Sequence, residues 1–188
     1  MLVIVGESGS GKSTLQKNLI EKLPNYRKII TYTTRPKRRG EKDGVDYHFI
    51  PQATFDEFVK RGFFAEYNVY NDWSYGTAKA DCLNDDNIVA VLTPAGLRAI
   101  LREGIKVTSV YLYVDRRSRL VNLLNRGDNI EESYRRNVSD VGQFDGVENE
   151  VDYVINNQGY KMTQEQTLEC LLAIIKESKK AEEQNEGH

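Results

Sequence analysis

LVIVGESGSGKST, residues 2 to 14, couples an apolar, mostly β-branched run to a loop with glycines at 6, 9 and 11 and then to Lys12, Ser13 and Thr14. Residues 6 to 14 match G-x-x-x-x-G-K-[ST], and they stand where that pattern has a mechanism, after a strand-like run and at the start of an amphipathic stretch. Glycines let the backbone curl until successive N–H groups point inward at a phosphate, and the helix that follows adds the positive end of its dipole. Gly6, Glu7, Ser8, Gly9, Ser10, Gly11, Lys12, Ser13 and Thr14 are therefore expected to bind ATP. Lys12 would reach the β and γ phosphates, and the Ser13 hydroxyl would bind Mg²⁺. The plain alternative is a glycine-rich strand-to-helix turn that binds nothing.

Outward from this loop, short apolar runs alternate with amphipathic stretches. The strand-like runs are LVIV (2 to 5), KIIT (28 to 31), NIVAVLT (87 to 93), KVTSVYLYV (106 to 114) and DYVIN (152 to 156). Helical patterns fall near 12 to 23, 95 to 103, 116 to 125, 130 to 141 and 163 to 178. This alternation predicts an α/β fold, a P-loop NTPase parallel sheet flanked by helices. Between about 32 and 80 the spacing shortens into YHFI, a small helix ATFDEFVKRG, FAEYNVY, a turn at NDWS, and YGT. That segment reads as an inserted, mostly antiparallel subdomain. The end from 179, KKAEEQNEGH, is charged and almost without apolar groups, so it is expected to be disordered.

The 188 residues suit a single domain, and 39% hydrophobic with 29% charged residues is an ordinary globular balance. No apolar run approaches the roughly 18 residues of a membrane span. The chain passes from Met1 straight into the apolar run without a basic leader, which points to a cytoplasmic address. Cys82 and Cys170 lack the close spacing of a metal or redox pair and read as structural. A formal net charge of -2 argues against a nucleic-acid-coating protein, so any contact with a polyanion must be local.

One local cluster meets that condition. Arg35, Lys37, Arg38 and Arg39 lie within five positions, followed by acids, a glycine and Tyr47. A kinase for a small phosphorylated acceptor needs fixed cations away from its phosphate loop, and arginine binds phosphate oxygens in pairs without losing its charge. TTRPKRRGEKDGVDYHF, residues 33 to 49, resembles the nucleoside-monophosphate segment of the guanylate kinase family. GFFAEY (62 to 67), SYGT (74 to 77), NRG (125 to 127) and DYVINN (152 to 157) extend the resemblance over nearly the whole chain in the same order.

The resemblance implies a single domain over 1 to 178, with a core of 1 to 31 and 81 to 178, an NMP-binding insertion at 32 to 80 and a helical lid at about 126 to 141. It implies that Arg35, Arg38 and Tyr47 hold the acceptor phosphate with Glu41 beside them. Glu66, Thr31 and Thr77 then read the base, Tyr75 lines the same site, and Lys12, Arg126 and Arg136 steady the transferring group. The plain reading of Arg35 and Arg38 is a surface ion pair with Glu41 or Asp43, which alone would contribute little. The two threonines could equally be ordinary strand residues. Guanine presents N–H donors at N1 and N2 beside the O6 acceptor, so a carboxylate together with hydroxyl or amide donors suits it. The implied reaction is ATP-dependent phosphorylation of GMP or dGMP, with Mg²⁺ and no nucleic-acid or membrane partner.

Three departures accompany the resemblance. Thr93 stands where the family carries an acid, with Val91 where a second acid often lies; Asn137 occupies an arginine position, with Arg136 one residue away; and VGQFDGVENE (141 to 150) does not resemble the usual segment. Asp115 could replace the missing acid, but it reads more simply as the cap of a helix starting at Arg116. His48 reads as structural. The departures leave open a kinase for another nucleotide or phosphorylated sugar, or a binding module without turnover.

Overall fold

The computed structural model describes residues 1–37, 40–70, 72–83, 87–125 and 130–186. In chain order the elements are β1 (Leu2–Val5), α1 (Lys12–Lys22), β2 (Arg27–Lys28), β3 (Tyr32–Thr33), β4 (His48–Phe49), α2 (Gln52–Lys60), β5 (Phe64–Tyr70) and β6 (Trp73–Ala78). They continue with α3 (Lys79–Leu83), β7 (Ile88–Leu92), α4 (Pro94–Arg102), β8 (Thr108–Tyr113), α5 (Arg116–Asn125), α6 (Ile130–Ser139), β9 (Tyr153–Asn156) and α7 (Gln164–Glu186).

Strands β2, β7, β1, β8 and β9 form a parallel sheet in that order, with β1 at its centre. A strand buried on both faces has no use for polar alternation, which is why LVIV is apolar throughout. Its side chains still divide by parity. Val3 and Val5 join Ile88, Ala90, Leu97 and Ile100 on the α4 side, while Leu2 and Ile4 join Leu15, Leu19, Leu171 and Ile175 beneath α1 and α7. Each such aliphatic side chain, fully buried, contributes roughly 1.5–3 kcal/mol. Because the strands are parallel, their carboxyl ends all open on one edge, where the 6 to 14 loop begins.

The second sheet has the order β4-β3-β6-β5 and is mostly antiparallel, β3 and β4 being its parallel pair. Its core is aromatic. Phe55 of α2 stacks on Phe64 with ring centroids 4.6 Å apart, and Phe63 meets Tyr32 edge to face at 5.3 Å. Gly76 lies so close to the Phe64 ring that a Cβ there would stand 2.9 Å from it, so a larger residue would force the two strands apart.

Two expectations need correction. KIIT forms strand only at its start, with β2 ending at Lys28. The end from 179, expected to be disordered, is helical to Glu186 because α7 continues through it. Lys179 explains part of the continuation: its ammonium donates to Asn87 Oδ1 at 3.2 Å and sits 5.4 Å from the Tyr26 ring centroid. Ala, Glu, Gln and Lys are also good helix formers, so a polar end still prefers helix once it is anchored.

Candidate active site

The glycine loop turns sharply between β1 and α1. Gly9 and Gly11 have φ of 83° and 97°, left-handed values that favour glycine. A Cβ on Gly9 would also stand 2.9 Å from the Arg119 carbonyl oxygen. No side chain caps α1, and its first turn has no acid. Gly9 through Thr14 line a cavity of about 370 Å³ with Asn18, Asn122, Asn157 and Tyr160. The Tyr160 hydroxyl donates to the Gly9 carbonyl, and Asn122 Nδ2 donates to the same oxygen at 3.0 Å.

Lys12 stands between this cavity and a second one. Its ammonium donates to the Glu7 carbonyl at 2.7 Å. Burial lowers its pKa to about 8, against the opposing pull of Asp140 and Glu7. Glu7 does not turn its carboxylate to the first cavity: that group accepts from the Tyr111 hydroxyl at 3.1 Å and pairs with Arg119 at 3.4 Å.

The second cavity, about 340 Å³, gathers the expected acceptor residues. Gly6, Ser8 and Lys12 form its floor, with Thr31, Arg35, Glu41, Tyr47, Glu66, Tyr75 and Arg136 around it. Arg35 Nη2 donates to Glu41 Oε1 at 2.6 Å, and its guanidinium lies 5.4 Å from the Tyr47 ring centroid. With only 9% of the Arg35 side chain exposed, this is no solvated surface pair; it is a fixed cation on a cavity wall. Arg38 and Arg126 lie outside the described residues.

Glu66 sits at 5% exposure. Burial raises its pKa, partly offset by the Thr77 hydroxyl, which donates to Oε1 at 2.6 Å. Thr77 is thus behind the carboxylate and orients it, where the sequence suggested a direct donor to a base. Thr31 does line the cavity.

Thr93 caps α4, its hydroxyl oxygen accepting from Gly96 N–H at 3.1 Å. Asp115 is a helix cap too: Oδ1 accepts from Ser118 N–H at 3.0 Å and Oδ2 from Gly159 N–H at 2.7 Å. Both its oxygens are committed to backbone, so it does not stand in for an acid at 93. On α6, Arg136 reaches the cavity, while Asn137 is buried away from it and accepts from Arg116 Nε at 2.7 Å.

Sequence reasoning missed Arg119 and Asp140. Arg119, 5% exposed, donates to the Val114 and Ser8 carbonyls at 2.9 and 3.3 Å. Asp140, just past α6, accepts from Ser8 N–H at 2.7 Å and lies 3.7 Å from Arg119 Nη1. One signal for Arg119 was available: it sits one turn before Leu123 on the buried stripe of α5, where an arginine needs a partner. Asp140 gave none: it falls at the polar end of the 130 to 141 helical pattern, where an acid reads as solvated.

The residues fit an ion that arrives with nucleotide. Among the described residues no group of three or more His, Cys, Asp or Glu side chains could hold a metal, and Ser13, in the first turn of α1, lines the first cavity. Mg²⁺ characteristically takes one or two protein oxygens and completes its shell with phosphate and water. Equally, no described helix is long and apolar enough to cross a membrane.

The guanylate kinase of Syntrophotalea carbinolica is 45% identical over 80 residues, 43% of this chain and 38% of that protein. That of Helicobacter pylori is 29% identical over 181 residues, 94% of this chain and 86% of that protein. The crystal structure of guanylate kinase from Anaplasma phagocytophilum, 21% identical, covers 95% of this chain and 85% of its own with a TM-score of 0.68, a likeness of fold. The family profile described as guanylate kinase matches residues 1–177, and the chain belongs to the guanylate kinase family.

Proposed function

We propose that the chain transfers the γ-phosphoryl group of ATP to the phosphate of GMP or dGMP, giving ADP and the nucleoside diphosphate. The observation that carries this reading is the shared cavity in which Lys12 faces Arg35, Tyr47 and Glu66. The acceptor phosphate is already a nucleophile, so no covalent intermediate is needed. Alignment, charge neutralisation and exclusion of water are what the protein contributes.

Arg35 and Tyr47, with Arg38, orient the acceptor phosphate. Glu66, oriented by Thr77, accepts from the N–H edge of the base. Lys12 and Arg136, with Arg126, hold charge at the transferring group. The Ser13 hydroxyl would hold Mg²⁺, which would supply neutralisation of the phosphate charge. Closure of the insertion and the lid over both nucleotides belongs to this proposal, because water would otherwise compete for the phosphoryl group. A cytoplasmic setting belongs to it as well, supported by two cysteines that are free thiols, Cys82 being buried.

The test is ADP formation with ATP and Mg²⁺ against GMP, dGMP, AMP, CMP, UMP and dTMP, beside a control without acceptor. Turnover is expected with GMP and dGMP. Arg35→Ala should raise the KM for GMP roughly 10- to 100-fold, the scale of losing charge-assisted hydrogen bonds. An unchanged KM and kcat in that variant would remove Arg35 from the acceptor clamp.

A further inference from the structure

Asn68 is absent from every role assigned above, yet it lines the acceptor cavity. It shares a face of β5 with Glu66, two residues before it, and it stands opposite Tyr75 of β6 as Glu66 stands opposite Thr77. Its Nδ2 donates to Thr93 Oγ1 at 3.4 Å. The same Thr93 oxygen accepts from Gly96 N–H, so both its lone pairs are taken. Glu66 Oε2 lies against this point of α4, since a Cβ on Gly96 would be 3.2 Å from it. Glu66, Asn68 and the start of α4 therefore make one continuous wall, with one carboxylate and one carboxamide where Thr93 supplies no charge.

The donors of the guanine edge outnumber what Glu66 alone can accept. One carboxylate oxygen already holds the Thr77 hydroxyl, and the carboxylate as a whole suits N1–H and one hydrogen of the 2-amino group. The second amino hydrogen needs a separate acceptor, or its desolvation goes uncompensated. We infer that Asn68 is a specificity-determining residue whose side-chain oxygen accepts this second hydrogen, so that it separates bases with a 2-amino group from those without one. Nδ2 gives one of its two hydrogens to Thr93, and Oδ1, the one acceptor of the carboxamide, is the atom that can meet an N–H of the base. The inference rests on the GMP reading of the site.

Inosine monophosphate isolates the contact, because hypoxanthine keeps N1–H and O6 and lacks the 2-amino group. The experiment measures kcat/KM for GMP and for IMP in the wild type, Asn68→Ala and Asn68→Asp. Asn68→Ala should lower kcat/KM for GMP roughly five- to tenfold, the scale of one hydrogen bond, and leave the value for IMP within about twofold. Asn68→Asp, which keeps an acceptor of the same shape, should retain the preference for GMP. Equal losses on GMP and IMP in Asn68→Ala would assign the residue to structure and overturn the inference while the GMP reading stands. A wild type that turns over neither purine would overturn the acceptor reading and this inference together.

Discussion

Lys12 shows how a residue can be poised by its surroundings before any ligand arrives. Burial brings its pKa down to about 8, so near that pH roughly half of the free protein carries a neutral amine there. Phosphate oxygens favour the ammonium form, so binding raises the pKa and draws a proton from solution. ATP binding at pH 8 should therefore take up about half a proton, seen as a buffer-dependent enthalpy in calorimetry. The sign follows from the direction: below pH 7 the lysine is already charged and uptake should fade, and above pH 8 ATP affinity should drop. Uptake that did not change with pH would place the titrating group elsewhere.

At this scale the sequence was readable where chemistry repeats a motif. Lys12, Arg35, Tyr47 and Glu66 stood in patterns whose mechanisms are known, and they meet in one cavity. Thr77 was only half readable, because the pattern that marks it does not tell whether its hydroxyl faces a base or a carboxylate; it faces Glu66. Arg119 signalled that it needs a partner but not which, and Asp140 gave no sign, because each meets Ser8 from more than a hundred residues away. No local spacing encodes a pairing of that kind.

Among elements, the turn after α6 reaches back to the loop at residues 6 to 14. Ser8 N–H, a donor of the loop, is given to the Asp140 carboxylate. A carboxylate so placed competes with phosphate oxygens for that donor and repels their charge. Asp140→Asn should tighten ATP binding several-fold by isothermal titration, while weaker binding would mean that the carboxylate supports the nucleotide-bound loop. The register within α6 illustrates why helices resist reading to the single residue. Neighbours on a helix point about 100° apart, so Arg136 reaches the cavity and Asn137 faces Arg116. The length of α7 resists reading for a different reason: a polar end suggests disorder from composition alone, whereas Lys179 gives it a foothold on Asn87 and Tyr26.

For the molecule as a whole, two sheets were legible because their periodicities differ. Long apolar runs separated by helices mark the parallel sheet, and the short, aromatic, closely spaced runs of 32 to 78 mark the other. What the pattern could not give was strand extent at edges such as β2, where pairing with a single neighbour decides where the ladder stops. The uncapped start of α1 bears on the whole fold. Leu15 N–H makes the first bond back, to the Gly11 carbonyl at 2.9 Å, so the amides of Lys12, Ser13 and Thr14 precede the helix ladder. On the proposed reading, ATP takes the part of the missing cap at these first donors. Hydrogen exchange at residues 12 to 14 should be fast in the free protein and slow with ATP, and ATP at a hundred times its Kd should add about 2.7 kcal/mol to global stability. Fast exchange in both states would mean that the nucleotide does not cover these donors, and slow exchange in both that they are covered without it; protection only with ATP would make the nucleotide a structural part of its own binding helix.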